Sequence, residues 1–312
     1  MLAAGGAVMA LPRVAVLLST FNGAAFLSEQ LASLGKQHEA DVFLHARDDC
    51  SQDDTVAVLR AHADRWPELA RVESGENLGV ARSFFTLLAT APHADYFAFC
   101  DQDDVWLPDK LARAVAAIAR EGGPALYCSN VTLVDENLAP FGNSPAQSDT
   151  RLAHLLFENI AIGCTVVLNR AAREVILAQD PGEAAVMHDW WCALVIAALG
   201  HVHYDPQSSI LYRQHGKNVV GQRGNALTQA AGEAVRFLRG RERFYRIHRQ
   251  SGALLALYGP AMRASDRGHI ERLVASKVTL GRRLAYALAG PVVRRRRLDA
   301  LVVRCLIAAG WY

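Results

Sequence analysis

Short apolar segments alternate with helix-length segments through the first third of the chain. The first, at 14–19, has the sequence VAVLLS, a continuous apolar and β-branched run typical of a strand buried on both faces. Comparable runs at 42–46, near 71–73 and at 96–100 are each followed by a helical pattern. This alternation predicts βαβ units, and therefore an α/β fold with a mixed, mainly parallel sheet flanked by helices.

Acidic residues follow the fourth predicted strand at the point where it ends. The apolar run 96–100 leads directly to Asp101, Asp103 and Asp104. The carboxyl ends of parallel strands share one edge of a sheet, and ligands of open α/β sheets bind there. Carboxylates this close together repel each other, and a hard divalent cation such as Mg²⁺ or Mn²⁺ is their usual neutralising partner. This stretch alone is equally compatible with a metal site and with a solvated turn whose Asp caps the next helix.

Polar side chains also follow the first three predicted strands. Thr20 and Asn22 lie in STFNG, Asp49 lies in DDCSQDDT at 48–55, and Asn77 lies in ENLG at 76–79. Turn chemistry explains some of these residues, but not two acidic pairs at one edge of one sheet. The chain has neither a G-x-G-x-x-G fingerprint nor a P-loop, so a bound nucleotide would be held by side chains and a metal.

Two later stretches place polar side chains beside predicted elements. MHDWW at 187–191 opens an apolar helix, and Asp189 is either its N-cap or a carboxylate that faces a cleft beside an aromatic wall. A predicted strand at 210–213 leads to QHGKNVVG. His215 there is either a surface histidine or a metal ligand, and Lys217 is a candidate ammonium for a phosphate.

Residues 125–169, which precede both of these stretches, are predicted to form a less regular series of strands and loops. Strands are expected at 125–128 and at 162–169, the second entered through Gly163. The segment 134–150 is polar, contains Pro and Gly, and is predicted to be a loop.

The charge is distributed unevenly along the 312 residues, a length typical of about two domains. The formal net charge is only +2, but the chain from Arg236 onward carries 17 Lys and Arg against 4 Asp and Glu. Basic helices with an apolar face lie on anionic membrane surfaces, so peripheral membrane contact is one interpretation of this region. A helical cap with a solvated basic face is the other.

Several features bear on the location of the chain. The six cysteines have no C-x-x-C spacing and are expected to be reduced, mainly core residues of an intracellular protein. Residues 1–12 are small and apolar without a basic start, and we expect a disordered leader there, with a signal peptide as the alternative. No run of 18 apolar residues occurs, so no membrane span is predicted.

Taken together, six motifs resemble glycosyltransferase family two, the inverting enzymes of GT-A fold, and in particular its bacterial rhamnosyltransferase-like members. They occur in the family's order, cover roughly residues 13–222, and are STFNG at 19–23, DDCSQDDT at 48–55, ENLG at 76–79, CDQDDVWLPDKL at 100–111, MHDWW at 187–191 and YRQHGKNVVG at 212–221. One departure is Cys50, where many members carry Gly or Asn.

The resemblance implies a role for individual residues. It implies that Asp189 is the catalytic base. The residues that it implies for nucleotide binding are Thr20, Asn22, Asp49, Asn77 and Asp101, with Asp49 accepting from the base. Asp101, Asp103 and His215 are implied as ligands of Mn²⁺ or Mg²⁺, and Lys217 as a contact of the diphosphate. Gly163, Trp190 and Trp191 are expected to line the acceptor or sugar pocket, and Asp104 is given no role.

The expected function is transfer of a sugar, with inversion, from a dTDP-rhamnose or UDP-hexose donor to a cell-surface polysaccharide or lipid-linked oligosaccharide. The expected organisation is a leader (1–12), a GT-A domain (13–224) and a basic helical C-terminal region (225–312). The enzyme is expected in the cytoplasm, peripheral to the inner face of the plasma membrane, with no nucleic-acid partner. A nucleotidyltransferase is an alternative, but it should have a Gly-rich basic loop after the first strand. A non-catalytic sugar-nucleotide binding protein is another.

Overall fold

The fold is seen in a computed structural model that describes residues 10–66, 70–147, 149–215 and 241–312. In its first half the strands are β1 (Arg13–Thr20), β2 (Asp41–Asp48), β3 (Ala70–Ser74) and β4 (Tyr96–Cys100). The helices that follow them are α1 (Ala24–Leu34), α2 (Thr55–Ala63), α3 (Val80–Thr90) and α4 (Lys110–Ile118). The predicted alternation of strands and helices is therefore confirmed.

The second half adds shorter helices and the remaining strands. The strands are β5 (Val105–Trp106), β6 (Ala125–Val134), β7 (Pro140–Asn143), β8 (Val167–Asn169) and β9 (His201–Arg213). The helices are α5 (Leu152–Leu155), α6 (Arg170–Leu177) and α7 (His188–Leu199). The described strands form one mixed sheet in the order β3-β2-β1-β4-β8-β6-β9-β5, with β7 paired to β6.

The sheet is parallel on one side and mostly antiparallel on the other. β1 pairs in parallel with both β2 and β4, and β2 pairs in parallel with β3. β8 then runs antiparallel between β4 and β6, while β9 returns parallel to β6. This arrangement confirms a mixed sheet, and it leaves the carboxyl ends of β1, β2 and β4 side by side.

Both faces of the central strands are buried, as the continuous apolar runs predict. Ala15, Leu17, Phe97 and Phe99 contribute to one hydrophobic cluster. The alternate residues of the same strands, such as Val16 and Ala98, contribute to a second cluster. Because side chains alternate along a strand, two clusters on opposite faces are what a buried parallel sheet requires. The strands are thus fixed from both sides, which holds their ends in place.

Three predicted boundaries in the second half are wrong. The segment predicted as a loop at 134–150 contains β7, whose four residues are all exposed and so carry no alternating pattern. Of the strand predicted at 162–169, only Val167–Asn169 pairs as a strand, because Gly163–Thr165 forms a 3₁₀ turn. β9 begins at His201 rather than near 210. Its first half is mostly polar, so the sequence pattern did not indicate a strand there.

The C-terminal helices pack onto the sheet domain. They are α8 (Arg241–Tyr258), α9 (Ala264–Ser276), α10 (Leu280–Ala289) and α11 (Arg297–Ala309). Leu254, Ile270 and Ile307 belong to the same hydrophobic cluster as Trp191 of α7. None of the described helices is both long and apolar enough to cross a bilayer. The boundary predicted at 224 lies outside the described residues, as does the predicted leader except for 10–12.

Candidate active site

The carboxyl ends of β1, β2 and β4 form one edge, and the predicted polar residues lie along it. The strand register pairs Thr20 with Asp48 and Leu18 with Cys100. Thr20 Oγ1 donates to Asp48 Oδ1 at 3.0 Å, which links the first two strand ends. Asp101 follows Cys100 directly. The structure therefore brings the first, second and fourth motifs together, as the parallel sheet predicts.

The turn after β1 is held by side chains from the other motifs. Asn22 has a positive φ of 49°, a conformation that Asn tolerates better than most residues, and its Oδ1 accepts from the Gln52 N–H at 2.8 Å. The side chain of Gln102 binds Phe21 twice, accepting from its N–H at 2.8 Å and donating to its carbonyl at 3.0 Å. A Cβ on Gly23 would lie 2.1 Å from Gln102 Oε1, so a larger residue at position 23 would displace the Gln102 side chain from Phe21.

Asp49 is buried and its carboxylate is engaged by donors of the chain itself. Oδ1 accepts from the Leu78 N–H and Oδ2 from the Gly79 N–H, both at 2.8 Å. The Arg47 guanidinium also binds Oδ1. Asp49 therefore fixes the loop that carries Asn77, which is exposed at the same edge. Acceptance of a hydrogen bond from a nucleotide base by Asp49 stays a prediction.

The carboxyl groups of the acidic residues after β4 are only partly balanced by hydrogen bonds and positive charges. Burial raises the pKa of Asp101 to about 7, and the charges of Asp103 and Asp189 add to this effect. Asp104 has no exposed surface, and its Oδ1 accepts from the Arg213 N–H at 3.0 Å. Its Oδ2 has no hydrogen-bond partner among the described residues. A buried carboxylate oxygen without a partner is costly, and either a bound proton or a bound cation relieves that cost.

Two sets of potential ligand atoms converge on this cluster. His215 Nε2 lies 2.8 Å from Asp103 Oδ2. The Cys164 Sγ and one carboxylate oxygen each from Asp101 and Asp104 lie within 4.8 Å of one another. Carboxylate oxygens suit Mg²⁺ and Mn²⁺, whereas a thiol suits softer metals. The structure therefore brings His215 to Asp103, but the three ligand atoms that it gathers belong to Asp101, Asp104 and Cys164, so the set of Asp101, Asp103 and His215 stays a prediction.

Asp189 lies in the first turn of α7, whose N-cap is Met187, so it is not the N-cap that one interpretation expected. Its Oδ1 accepts from Asn159 Nδ2 at 3.2 Å, and the side chain is buried. Burial raises the pKa of Asp189 to about 7. Its charge in turn raises the pKa of Asp101, so the two carboxyls share one site. A Cβ on Gly163 would lie 3.5 Å from Asp189 Oδ2, which places Gly163 at the same site.

The expected aromatic wall is only partly formed. Trp191 has no exposed surface and lies in the core, where it contacts Tyr258, so its assignment to a sugar pocket is wrong. Trp190 is half-buried, and its Nε1 donates to the Leu155 carbonyl at 2.6 Å. Consecutive helical residues point about 100° apart, so only one of two adjacent tryptophans can face a cleft. Lys217 lies outside the described residues.

The sequence did not single out Arg213 or Lys110 as site residues. Arg213 is buried, and its Nε donates to the Asp103 carbonyl at 2.8 Å. Lys110 is buried over the Trp106 ring, 3.6 Å from its centroid, and burial lowers the pKa of its ammonium to about 8. The sequence signal for Arg213 is its position at the end of the apolar run 210–212, whereas Lys110, between Asp109 and Leu111, has none. Together they place positive charge beneath the acidic residues.

The site combines the acidic residues after β4 with the nearby Asp189 carboxyl, whose pKa is also near neutral. Carboxylates at a strand end can hold a metal that bridges a diphosphate. A carboxyl with a pKa near 7 can accept and release a proton at physiological pH. These are the two elements that displacement at a phosphorylated carbon requires.

Solved structures of low sequence identity share this fold. TarS from S. aureus, in complex with UDP-GlcNAc, superposes with a TM-score of 0.60 at 16% identity, covering 96% of this chain and 87% of that one. The mannosyltransferase PcManGT from Pyrobaculum calidifontis, in complex with GDP-Man and Mn²⁺, gives a TM-score of 0.52 at 19% identity, covering 97% and 82%. The chain therefore has the GT-A type of α/β fold, extended by a C-terminal helical region.

The chain is also similar in sequence to two glycosyltransferases and to one protein family. The dTDP-rhamnosyl transferase RfbG of Shigella flexneri is 27% identical over 214 residues, which cover 65% of this chain and 73% of RfbG. WfgD of Escherichia coli, a UDP-Glc:alpha-D-GlcNAc-diphosphoundecaprenol beta-1,3-glucosyltransferase, is 27% identical over 158 residues, or 50% of this chain and 60% of WfgD. The pattern described as Glycosyl transferase family 2 matches residues 15–172. The chain therefore belongs to glycosyl transferase family 2 and is a glycosyltransferase.

Proposed function

We propose that this glycosyltransferase moves a sugar, with inversion, from a dTDP-rhamnose or UDP-hexose donor to a cell-surface polysaccharide or lipid-linked oligosaccharide. The observation that carries the proposal is the pairing of Asp189, a carboxyl whose pKa burial raises to about 7, with the acidic cluster after β4. The names of RfbG and WfgD support a dTDP- or UDP-linked donor.

Donor binding is proposed at the edge formed by β1, β2 and β4. Thr20, Asn22, Asn77 and Asp101 lie along this edge and are the proposed contacts of the nucleoside, behind which Asp49 fixes the 77–79 loop. Asp101, Asp103 and His215 are the proposed ligands of Mn²⁺ or Mg²⁺, and Lys217 the proposed contact of the diphosphate. When bound, such a cation stabilises the negative charge that builds on the leaving diphosphate.

Asp189 is the proposed base. In the attack on the anomeric carbon, its carboxylate accepts the proton of the acceptor hydroxyl as the new glycosidic bond forms and the bond to the diphosphate breaks. Asn159 Nδ2 donates to Asp189 Oδ1 at 3.2 Å, and Gly163, which has no side chain, leaves room beside Asp189 Oδ2. Since a single carboxylate serves as base, one displacement suffices and the anomeric configuration inverts. No covalent sugar–enzyme intermediate is needed.

The enzyme is proposed to work at the inner face of the plasma membrane. A saccharide or lipid-linked acceptor of the cell envelope and a basic C-terminal region favour a cytoplasmic enzyme that contacts the inner face of the plasma membrane peripherally. In this arrangement the sheet domain carries the chemistry, and the C-terminal helices provide the contact.

Thermal unfolding with UDP, dTDP, GDP and ADP, each with and without Mn²⁺, tests the donor site. A ligand that binds only the folded state raises its stability, and saturation at about 100 times Kd should raise Tm by about 4 °C. We expect this shift for a pyrimidine diphosphate, only with Mn²⁺, and not in Asp103→Ala. Asp41→Ala, at the opposite end of β2, is the control and should keep the shift. No shift with any nucleotide would contradict the proposal.

A further inference from the structure

Helix α10 exposes a stripe of leucines. Leu280, Leu284 and Leu288 are four residues apart, so they lie on one side of the helix. Their side chains are 57%, 43% and 83% exposed. Tyr286 and Ala287 of the same helix are buried. The helix therefore packs through one face and leaves a second apolar face uncovered by the described residues.

Helix α11 has the same property. Val303, Leu306 and Ile307 are buried against the protein. On the other side, the three large aliphatic residues Leu298, Leu301 and Val302 are exposed. Large aliphatic side chains on two sides of a helix are normally covered on both sides, in a core or by lipid. The described part of the chain covers only one of the two sides.

The two exposed faces are neighbours. The Arg304 guanidinium of α11 donates to the carbonyls of Leu288 and Gly290, at 3.2 Å and 2.9 Å. This contact places the end of α10 beside the turn of α11 that contains Leu301. We call the five residues Leu284, Leu288, Leu298, Leu301 and Val302 the C-terminal apolar surface. Contiguous exposed apolar patches of this kind mark interaction sites.

Unpaired positive charge adjoins this surface. Residues 277–312 contain eight Lys and Arg and one Asp, a net charge of +7. Arg296 and Arg297, at the start of α11, are exposed. Neither forms an ion pair with the described residues, whereas Arg294 is paired with Glu158. Aliphatic side chains next to unpaired arginines complement a surface that offers both hydrocarbon and anionic phosphate.

We propose that the C-terminal apolar surface docks on an anionic lipid bilayer. Its leucines enter the interface, and Arg296 and Arg297 contact lipid phosphates. The inference rests on the proposed function, because it specifies the residues of the membrane contact included there. A protein partner is the less suited occupant, since two exposed arginines beside the leucines, without an acidic neighbour that pairs with them among the described residues, match a continuous anionic surface rather than a mixed one.

Co-sedimentation of the full-length protein with phosphatidylcholine vesicles, with and without phosphatidylglycerol, tests this docking. Two single variants, Leu288→Glu and Leu301→Glu, test the apolar residues. Two others, Arg296→Gln and Arg297→Gln, test the positive charges. Leu177→Glu, at an exposed leucine of α6, and Arg60→Gln, at an exposed arginine of α2, are the matched controls. Thermal unfolding with nucleotide and Mn²⁺ is recorded on every variant, because it reports folding and the donor site independently of lipid.

We expect the wild type to sediment with anionic vesicles and to be released by salt. Each arginine removed should weaken binding about fivefold, and the leucine variants should lose it, while both controls bind like the wild type. Failure of the wild type to bind anionic vesicles would overturn the inference. Leucine and arginine variants of this surface that bind like the wild type would overturn it as well. So would self-association through this surface without vesicle binding. If the nucleotide shift persists in these cases, only the docking fails; if it is absent while vesicles bind, only the donor proposal fails.

Discussion

His215 Nε2 lies 2.8 Å from Asp103 Oδ2, although the two residues are 112 positions apart in the chain. His215 follows β9, and its ring stacks on Phe26 of α1 with the centroids 4.9 Å apart. The pairing of β9 with β5 brings this late segment next to the acidic turn after β4. The late motif and the acidic motif therefore form one site, which is the basis for assigning both to the same cation.

Substitution His215→Ala should weaken Mn²⁺ binding in the presence of UDP by an order of magnitude or more, because loss of even an outer hydrogen-bond partner of a metal ligand typically costs about 10- to 100-fold in affinity. Isothermal titration calorimetry measures this affinity. His201→Ala is the control, because His201 is exposed at the opposite end of β9. Equal affinity in the wild type and in His215→Ala would remove His215 from the proposed ligands.

Substitution Arg213→Met should lower the free energy of unfolding by about 3 kcal/mol, because the buried guanidinium holds several elements together. Its Nε donates to the Asp103 carbonyl at 2.8 Å, its other nitrogens bind Glu29 and the Glu136 carbonyl, and it lies over the Phe26 ring. Urea denaturation measures the change.

Two further variants of this network are informative. Arg213→Lys should not restore stability, since one ammonium cannot replace a planar guanidinium with several donors. Glu29→Gln should cost less than about 1 kcal/mol, because Glu29 is 56% exposed and water screens the ion pair. A lysine variant as stable as the wild type would mean that charge, and not geometry, is what Arg213 provides.

The sequence predicted those parts of the fold and site that depend on local pattern. The β4 strand and its acidic end could be predicted because an apolar run leads directly into Asp101. Arg213 and Cys164 could not, since their site partners are dozens of residues away in sequence and come together only in the folded sheet. The choice between Trp190 and Trp191 depends on the rotation of α7 against the core, which two adjacent aromatic residues do not specify.

His188 should make the protein less stable in acid. It is buried between Phe84 and Phe99, and burial lowers its pKa to about 3. The folded state therefore binds fewer protons than the unfolded state between pH 3 and 6.5, so stability falls as pH drops below 6.5. At pH 5 this residue should cost about 2 kcal/mol relative to pH 7.

Urea denaturation of the wild type and His188→Leu at both pH values isolates this contribution. The difference in unfolding free energy between pH 7 and pH 5 should be about 2 kcal/mol smaller in the variant. His93→Leu, at an exposed histidine, serves as the control. If the pH dependence is identical in His188→Leu and the wild type, His188 is not a source of acid sensitivity.

Turnover should depend on pH through Asp189. Burial raises its pKa to about 7, and a base must be ionised to accept a proton, so kcat should be constant above that pH and fall below it. The fall should approach tenfold per pH unit, and Asp189→Glu should retain an acid limb with a displaced midpoint. An acid limb that is unchanged in Asp189→Glu would assign the base to another group.

Release of nucleoside diphosphate from dTDP-rhamnose and UDP-glucose, by the wild type and by Asp189→Asn with Mn²⁺, tests the central claim most directly. Asp189→Asn keeps the size of the side chain but removes its basicity. We predict that it binds the nucleotide like the wild type, with the same thermal shift, and releases product on the order of 10³-fold more slowly. Equal rates in the two proteins would contradict the account, because the pairing of Asp189 with the acidic cluster would then have no part in sugar transfer.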